Sequence, residues 1–186
     1  MAQTSAMWNS PAWNLLVNTR GYGVRLAVQI ALVALSAYLC GVYFTRLFHS
    51  PSAGTGGLWA VMSAIVVLQE TRGETWSSAG LQIIGTLVGS IISAAYLSML
   101  PFSALGMAAS VFAAALLCFV LRIPEHARLA ALAVGVVMVV SSLHPTLHPL
   151  VNAALRFGEA CIGTALAVLG TLMAPAPAGP PAQRSP

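Results

Sequence analysis

Lysine and aspartate are absent from this sequence, and charged residues of all kinds make up only 6% of it. Soluble domains carry roughly 25% charged residues. A chain of 186 residues that is 58% hydrophobic has no way to hide so much apolar surface from water at this size. Its mean hydropathy of +0.85 points the same way. Cysteine is scarce, at three residues. Cys40, Cys118 and Cys161 all lie inside apolar runs without CxxC or Cys/His spacing, so they read as small packing residues. Missing too are a Gly-rich phosphate loop, a nucleophile elbow, an HExxH helix and paired aspartates. No enzyme, no cofactor and no metal site is therefore expected. Eight arginines against four glutamates give a net charge of +4. They stand mostly at the ends of apolar blocks, which suits membrane topology and excludes a nucleic-acid patch. The solvent partner this composition requires is a lipid bilayer.

The apolar blocks are Val24 to Phe44, Gly57 to Gln69, Leu81 to Leu100, Ser103 to Leu121, Leu129 to Leu143 and Leu150 to Ala174. They predict an all-α integral membrane protein of six transmembrane helices over residues 24–174. Residues 1–23 mix Trp8, Trp13 and Tyr22 with Asn, Ser, Gly and Pro, and are expected to lie at the headgroup level as an interfacial lead-in. Residues 175–186, rich in Pro and Ala, are expected to be a disordered tail. The first apolar run is too long for the core of a signal peptide, so the first helix is expected to stay in the mature chain. There is room for one membrane domain and for no attached soluble module.

Blocks two and five fall short of the roughly 20 residues that span a hydrocarbon core. Each is the middle member of a group of three, and short segments at matching places in two halves point to inverted repeats meeting at a transport site. Ile84-Gly85-Thr86 in block three and Ile162-Gly163-Thr164 in block six echo one another. Chance recurrence in Gly- and Ala-rich helices is the competing account. With the N-terminus cytoplasmic, Arg20, Arg25, Arg72, Arg122, Arg128 and Arg184 fall on the inner side and only Arg46 in an outer loop. This bias predicts both termini inside. Small residues at four-residue spacing supply packing seams: Gly85, Gly89 and Ser93; Gly106, Ser110 and Ala114; Gly163, Ala167 and Thr171.

Arg156 and Glu159 are the most informative charges, because they lie well inside block six. Each costs on the order of 3 kcal/mol at the centre of a membrane helix, so they should turn away from lipid. At helical spacing Asn152, Arg156, Glu159 and Gly163 share one face. Two readings stay open. One is an anion-attracting Arg156 tuned by a carboxylate able to carry a proton; the other is an ion pair that only locks helix packing. Arg25 and Gln29 form a weaker parallel on block one, where Arg25 snorkelling to the interface is the plainer reading. The charged segments Gln69 to Trp76 and Arg122 to Arg128 read as solvated connections. His144 and His148 stand four apart, as metal ligands on a helix would, but the proline after each favours an outer turn instead.

Leu58-Trp59-Ala60-Val61 running to Val67-Leu68-Gln69, then Gly73-Glu74-Thr75, Gly85-Thr86-Leu87-Val88-Gly89 and Arg156-Phe157-Gly158-Glu159-Ala160-Cys161-Ile162-Gly163 resemble the fusaric acid resistance and aromatic acid exporter family. The resemblance covers about Val24 to Ala174. It implies an inner-membrane six-helix unit whose cargo is a small organic, often aromatic, carboxylate anion; plant malate channels resemble the same unit. Two departures matter. Gln82 stands where the family usually has an arginine shortly before the Gly-Thr of its third helix. The chain also carries a single unit without a soluble domain, which favours self-association as a homo-oligomer and leaves room for a periplasmic adaptor or an additional subunit. The expected function is export of organic anions through Arg156, Glu159, Asn152, Arg25 and Gln29. The rival expectations are a passive anion channel and a non-transporting membrane scaffold or partner subunit.

Overall fold

Apolar segments in lipid must satisfy every backbone N–H and C=O internally, so helix is the only form open to a chain of this composition short of a closed barrel. A computed structural model describes residues 11–173, with side chains from residue 23. Among the described residues there are six α-helices and no strand: α1 Pro11–Phe48, α2 Ala53–Val67, α3 Arg72–Met99, α4 Ala104–Val120, α5 Ala127–Leu143 and α6 Pro149–Met173. Single 3₁₀ turns, Ser50–Ser52 and Pro124–His126, lead into α2 and α5.

The helix ends follow local chemistry. Thr71 caps α3 by accepting from the Glu74 N–H at 3.2 Å while its hydroxyl donates to Glu74 Oε2 at 2.8 Å, a close relative of the capping box. Ser103 caps α4 by accepting from the Gly106 N–H at 3.0 Å. At the far end of α4 the chain turns through Arg122 at φ 61°. The Arg122 N–H reaches Phe119 O at 3.0 Å and the Ile123 N–H reaches Cys118 O at 2.9 Å. These are the two bonds of a Schellman motif, with arginine in the place glycine usually takes. Pro149 opens α6, where its missing N–H costs nothing, and His148 Nδ1 accepts from the Leu150 N–H at 3.3 Å.

Four segments are long and apolar enough to cross a membrane: Gly23–Phe48, Arg72–Met99, Pro124–Leu143 and Pro149–Met173. The remaining helices, α2 and α4, have 15 and 17 residues and reach about 22 and 26 Å at about 1.5 Å per residue. The α-helix of block five is short as well, at 17 residues, and only the Pro124–His126 turn ahead of it brings its apolar segment to 20. The short helices thus include α4 beside the expected second and fifth.

Among the described residues, those up to Leu32 and those from Val33 onward fall into separate compact units. In the first, residues 11–32 are helical; Arg25 is exposed and Gln29 half-buried. Residues 11–23, expected as an interfacial lead-in, are thus part of α1, while residues 1–10 and the expected tail of residues 175–186 lie outside the described residues. In the second unit, α6 packs extensively on α2 and α3, and α3 packs extensively on α5. The α4 helix sits mainly against α5, and the pairs α2 with α3 and α5 with α6 touch only lightly. One apolar cluster gathers Ala60, Ala64 and Val67 of α2 with Ala167 and Val168 of α6. Another joins Ala114 and Cys118 of α4 to Ala130, Val134 and Met138 of α5. Leu35, Leu39, Tyr43, Ile65, Phe112, Phe119 and many similar side chains point outward, as lipid-facing residues should.

Candidate functional site

Glycines allow the close approach on which the site depends. A Cβ on Gly163 of α6 would strike the Ala60 carbonyl oxygen of α2 and meet Ala64 N at 3.0 Å. One on Gly56 of α2 would strike both Thr45 Oγ1 and Glu159 Oε1. With these two glycines in place, backbone lies against backbone and the polar face of α6 is sealed. Asn152, Arg156 and Glu159 are each 0% exposed.

Inside that seal Arg156 Nη1 lies 2.8 Å from Glu159 Oε2, one helical turn along. The contact is an ion pair not aligned as a hydrogen bond, and Nε and Nη2 of Arg156 find no hydrogen-bond acceptor. Glu159 Oε1 accepts from Thr45 Oγ1 of α1 at 2.5 Å. Trp59 of α2 donates its indole N–H to the Arg156 carbonyl at 2.9 Å. Asn152 donates from Nδ2 to Val137 O of α5 at 2.8 Å, and its Oδ1 stays without a partner. The pair is therefore held by three helices besides its own: α1 through Thr45, α2 through Trp59 and α5 through Asn152.

The face of α3 that packs toward the rest of the bundle is also polar. Gln82, Thr86, Ser90 and Ser93 are all buried. Gln82 Nε2 donates to Ser63 Oγ of α2 at 3.0 Å, while Gln82 Oε1, Thr86 Oγ1, Ser90 Oγ and Thr164 Oγ1 of α6 have no hydrogen-bond partner. Buried polar atoms are normally paired, with water if not with protein. Those on α3 and α6, two helices in extensive contact, form a reserve of hydrogen-bonding capacity not used among the described residues.

Of the candidates drawn from the sequence, Arg156, Glu159 and Asn152 stand together in this closed centre. Gly85 and Gly89 lie against α5, near Leu129, Ala130 and Ala133. Ser93 is buried and bonds back to the Gly89 carbonyl at 2.8 Å. Arg25 and Gln29 belong to the other unit. Sequence reasoning missed Thr45, Gly56 and Trp59. Trp59 stands third in its apolar block, where it reads as an interfacial tryptophan; only the earlier start of α2 at Ala53 puts it in mid-helix. The Gly56-Gly57 pair was the signal for close approach. His144 and His148 lie at the ends of the turn between α5 and α6, and the His144 ring stacks edge-on against His49 with centroids 5.6 Å apart. Among the described residues no three metal-ligating side chains gather.

Four membrane-length apolar helices with a polar centre closed inside them define a multi-pass, all-helical membrane protein. Residues 39–170 match the family model described as fusaric acid resistance protein-like, and the chain belongs to that family. The matched stretch contains Thr45, Gly56, Trp59, Gln82, Asn152, Arg156 and Glu159. Membership points to a membrane transport or resistance function. No curated protein and no solved structure matches the chain.

Proposed function

We propose that this protein is a transporter unit that moves small organic carboxylate anions, aromatic ones among them, out of the cell across the inner membrane. It is not an enzyme in this reading. The observation that carries the proposal is the enclosed Arg156 guanidinium, with donor groups unspent and a carboxylate already seated on it. A guanidinium presents a planar fork of N–H donors matched to carboxylate geometry. Glu159 then occupies the place a cargo carboxylate would take, and the enclosed arrangement is a resting state from which α6 must part from α2 to admit cargo.

Other features support the same reading. Exchanging α1, α2 and α3 for α4, α5 and α6 maps the close pair α2 with α6 onto α5 with α3, and the light pair α2 with α3 onto α5 with α6. Such a correspondence suits two inverted three-helix repeats, which in transporters meet at a site near the membrane midplane. The arginine distribution supports cytoplasmic termini. Assembly as a homo-oligomer, with or without a further subunit, fits a unit this small.

Efflux of a labelled aromatic carboxylate from cells or inside-out vesicles tests the proposal. Arg156→Gln is expected to abolish efflux with membrane insertion intact, and Arg156→Lys to keep part of it. Efflux at the wild-type rate in Arg156→Gln overturns the role given to Arg156. The complete enclosure of the pair favours one second reading, a clamp in a non-transporting partner subunit. Absence of flux by the purified wild-type protein, together with an obligatory larger partner in the same preparation, selects that reading. Current in a planar bilayer that follows the electrochemical gradient alone, indifferent to a pH gradient, selects a passive channel.

A further inference from the structure

A shallow groove of about 510 Å³ lies between α4 and α5, and its Val136 packs from the other side against the Trp59 and Ala160 cluster. Arg128, Ala131, Leu132, Gly135 and Val136 of α5 form its floor and Val111 of α4 its wall. The five α5 residues follow the spacing i, i+3, i+4, i+7, i+8, a single stripe of the helix. From Arg128 to Val136 the stripe runs about 12 Å along the axis. Arg128 is the second residue of α5, so the groove begins in a cation at the edge of the membrane and continues into its depth as purely apolar surface.

That cation is unsatisfied. Arg128 is exposed, and no hydrogen bond or ion pair found among the described residues includes it. Arg122 and Glu125, in the preceding turn, are exposed as well, so the segment is net positive even with its one carboxylate. Nothing lies within 4 Å of where a Cβ on Gly135 would sit. The glycine thus keeps the groove open without serving any contact inside the chain.

We propose that this groove binds one anionic phospholipid, with its headgroup phosphate on Arg128 and an acyl chain laid along Ala131, Leu132, Gly135 and Val136. The ligand follows from the charge and the length of the site. A phospholipid has the same polarity as the groove, an anion at the interface joined to an apolar chain below it, and basic pockets between membrane helices are known to hold such headgroups. A helix from a second copy is the poorer fit. The chain has four glutamates: Glu159 is enclosed with Arg156, Glu74 is held by Thr71, Glu125 already adjoins the Arg122 to Arg128 turn, and the exposed Glu70 is left. A partner copy therefore has one carboxylate to offer Arg128, whereas the bilayer offers phosphate throughout.

Native mass spectrometry of the full-length protein, released from detergent in the presence of phosphatidylglycerol, phosphatidylcholine or inorganic phosphate, tests this. Wild type is expected to retain one phosphatidylglycerol in preference to phosphatidylcholine. Arg128→Gln should weaken retention about fivefold. Gly135→Leu, which fills the groove and whose Cβ meets no neighbour, should weaken it about tenfold while the unfolding temperature of the lipid-free protein does not fall. Equal retention by wild type and both variants overturns the proposal. So does inorganic phosphate that displaces the lipid while Gly135→Leu binds normally, since the anion would then bind without the chain. Efficient crosslinking of Gly135→Cys into dimers, beyond that of the native cysteines, would give the groove to a second copy and also overturn it.

Discussion

Between α2 and α6 the Ala60 carbonyl lies where a side chain on Gly163 would be, and between α3 and α5 the Ala130 carbonyl stands in the same relation to Gly89. Both seams bring backbone against backbone in the way small residues permit in lipid, where van der Waals contact replaces the hydrophobic effect as the force between helices. They differ in what lies beside the glycine. Next to Gly163 are Glu159 and Arg156, fixed by Thr45 and Trp59; next to Gly89 are Thr86 and Ser90, neutral and without hydrogen-bond partners. Since the α3 and α5 seam closes without a charge, close packing in this bundle does not require one. The ion pair is an addition to the packing, and an addition that is expensive to bury.

The largest effect should come from breaking that addition in half. Arg156→Leu strands Glu159 in a closed apolar seam, and Glu159→Leu strands Arg156. Each should cost about 3–5 kcal/mol in unfolding from detergent micelles. Replacing both residues by leucine should recover most of that loss, because a buried pair exchanged for apolar side chains is often neutral. Efflux should remain absent in the double variant. If instead the single variants lose less than about 1 kcal/mol, water already reaches the pair and the contrast between the seams disappears.

How much of this was legible beforehand differs by element. The stripe Asn152, Arg156, Glu159 and Gly163 was readable because all four lie on one helix, where spacing fixes the face. Thr45, more than a hundred residues away in sequence, was not, since periodicity says nothing about which helix fills the opposite side. Helix limits were blurred for a related reason. The α3 helix begins at Arg72, nine residues before the apolar run, because Thr71 and Glu74 cap a turn that hydropathy does not count. The start of α2 at Ala53 was hidden by Gly54, Thr55 and Gly56, which lower apparent hydrophobicity, although Gly56 is what permits the close approach to Thr45 and Glu159. The polar centre was half visible, and the missing half was tertiary.

Adding one methyl group to each seam sharpens the comparison at the next level of effect. Gly163→Ala forces Ala60 and Ala64 away from α6, and Gly89→Ala forces Ala130 and Ala133 away from α3. Both should destabilise by about 1–3 kcal/mol, the usual cost of overpacking, since both press on backbone that has little freedom to give way. Efflux should separate them. Gly163→Ala shifts the helix that carries Gly56 and Trp59 against the ion pair and should slow transport severalfold, whereas Gly89→Ala should leave it near normal. An equal loss of efflux in the two variants would mean that the α3 and α5 seam takes part in the cycle as fully as its counterpart.

The smallest effects test the polar bonds that α2 gives or receives on either side, from Trp59 to α6 and at Ser63 from the neutral face of α3. Trp59→Phe removes the N–H that reaches the Arg156 carbonyl, but that carbonyl lies in mid-helix and keeps its place in the helical ladder, so no acceptor is orphaned. Interhelical hydrogen bonds in membranes average about 0.6 kcal/mol and seldom exceed about 2, and the loss should fall in that range. Gln82→Leu forfeits the bond to Ser63 Oγ but also removes the unpartnered Gln82 Oε1. The two changes oppose each other, and thermal unfolding should shift by less than it does for Trp59→Phe. A larger loss for Gln82→Leu would reverse this ranking: it would mean that Gln82 Oε1 has a partner in the membrane-embedded protein, water or cargo, and that the neutral face of α3 contributes to the site as much as the charged face of α6.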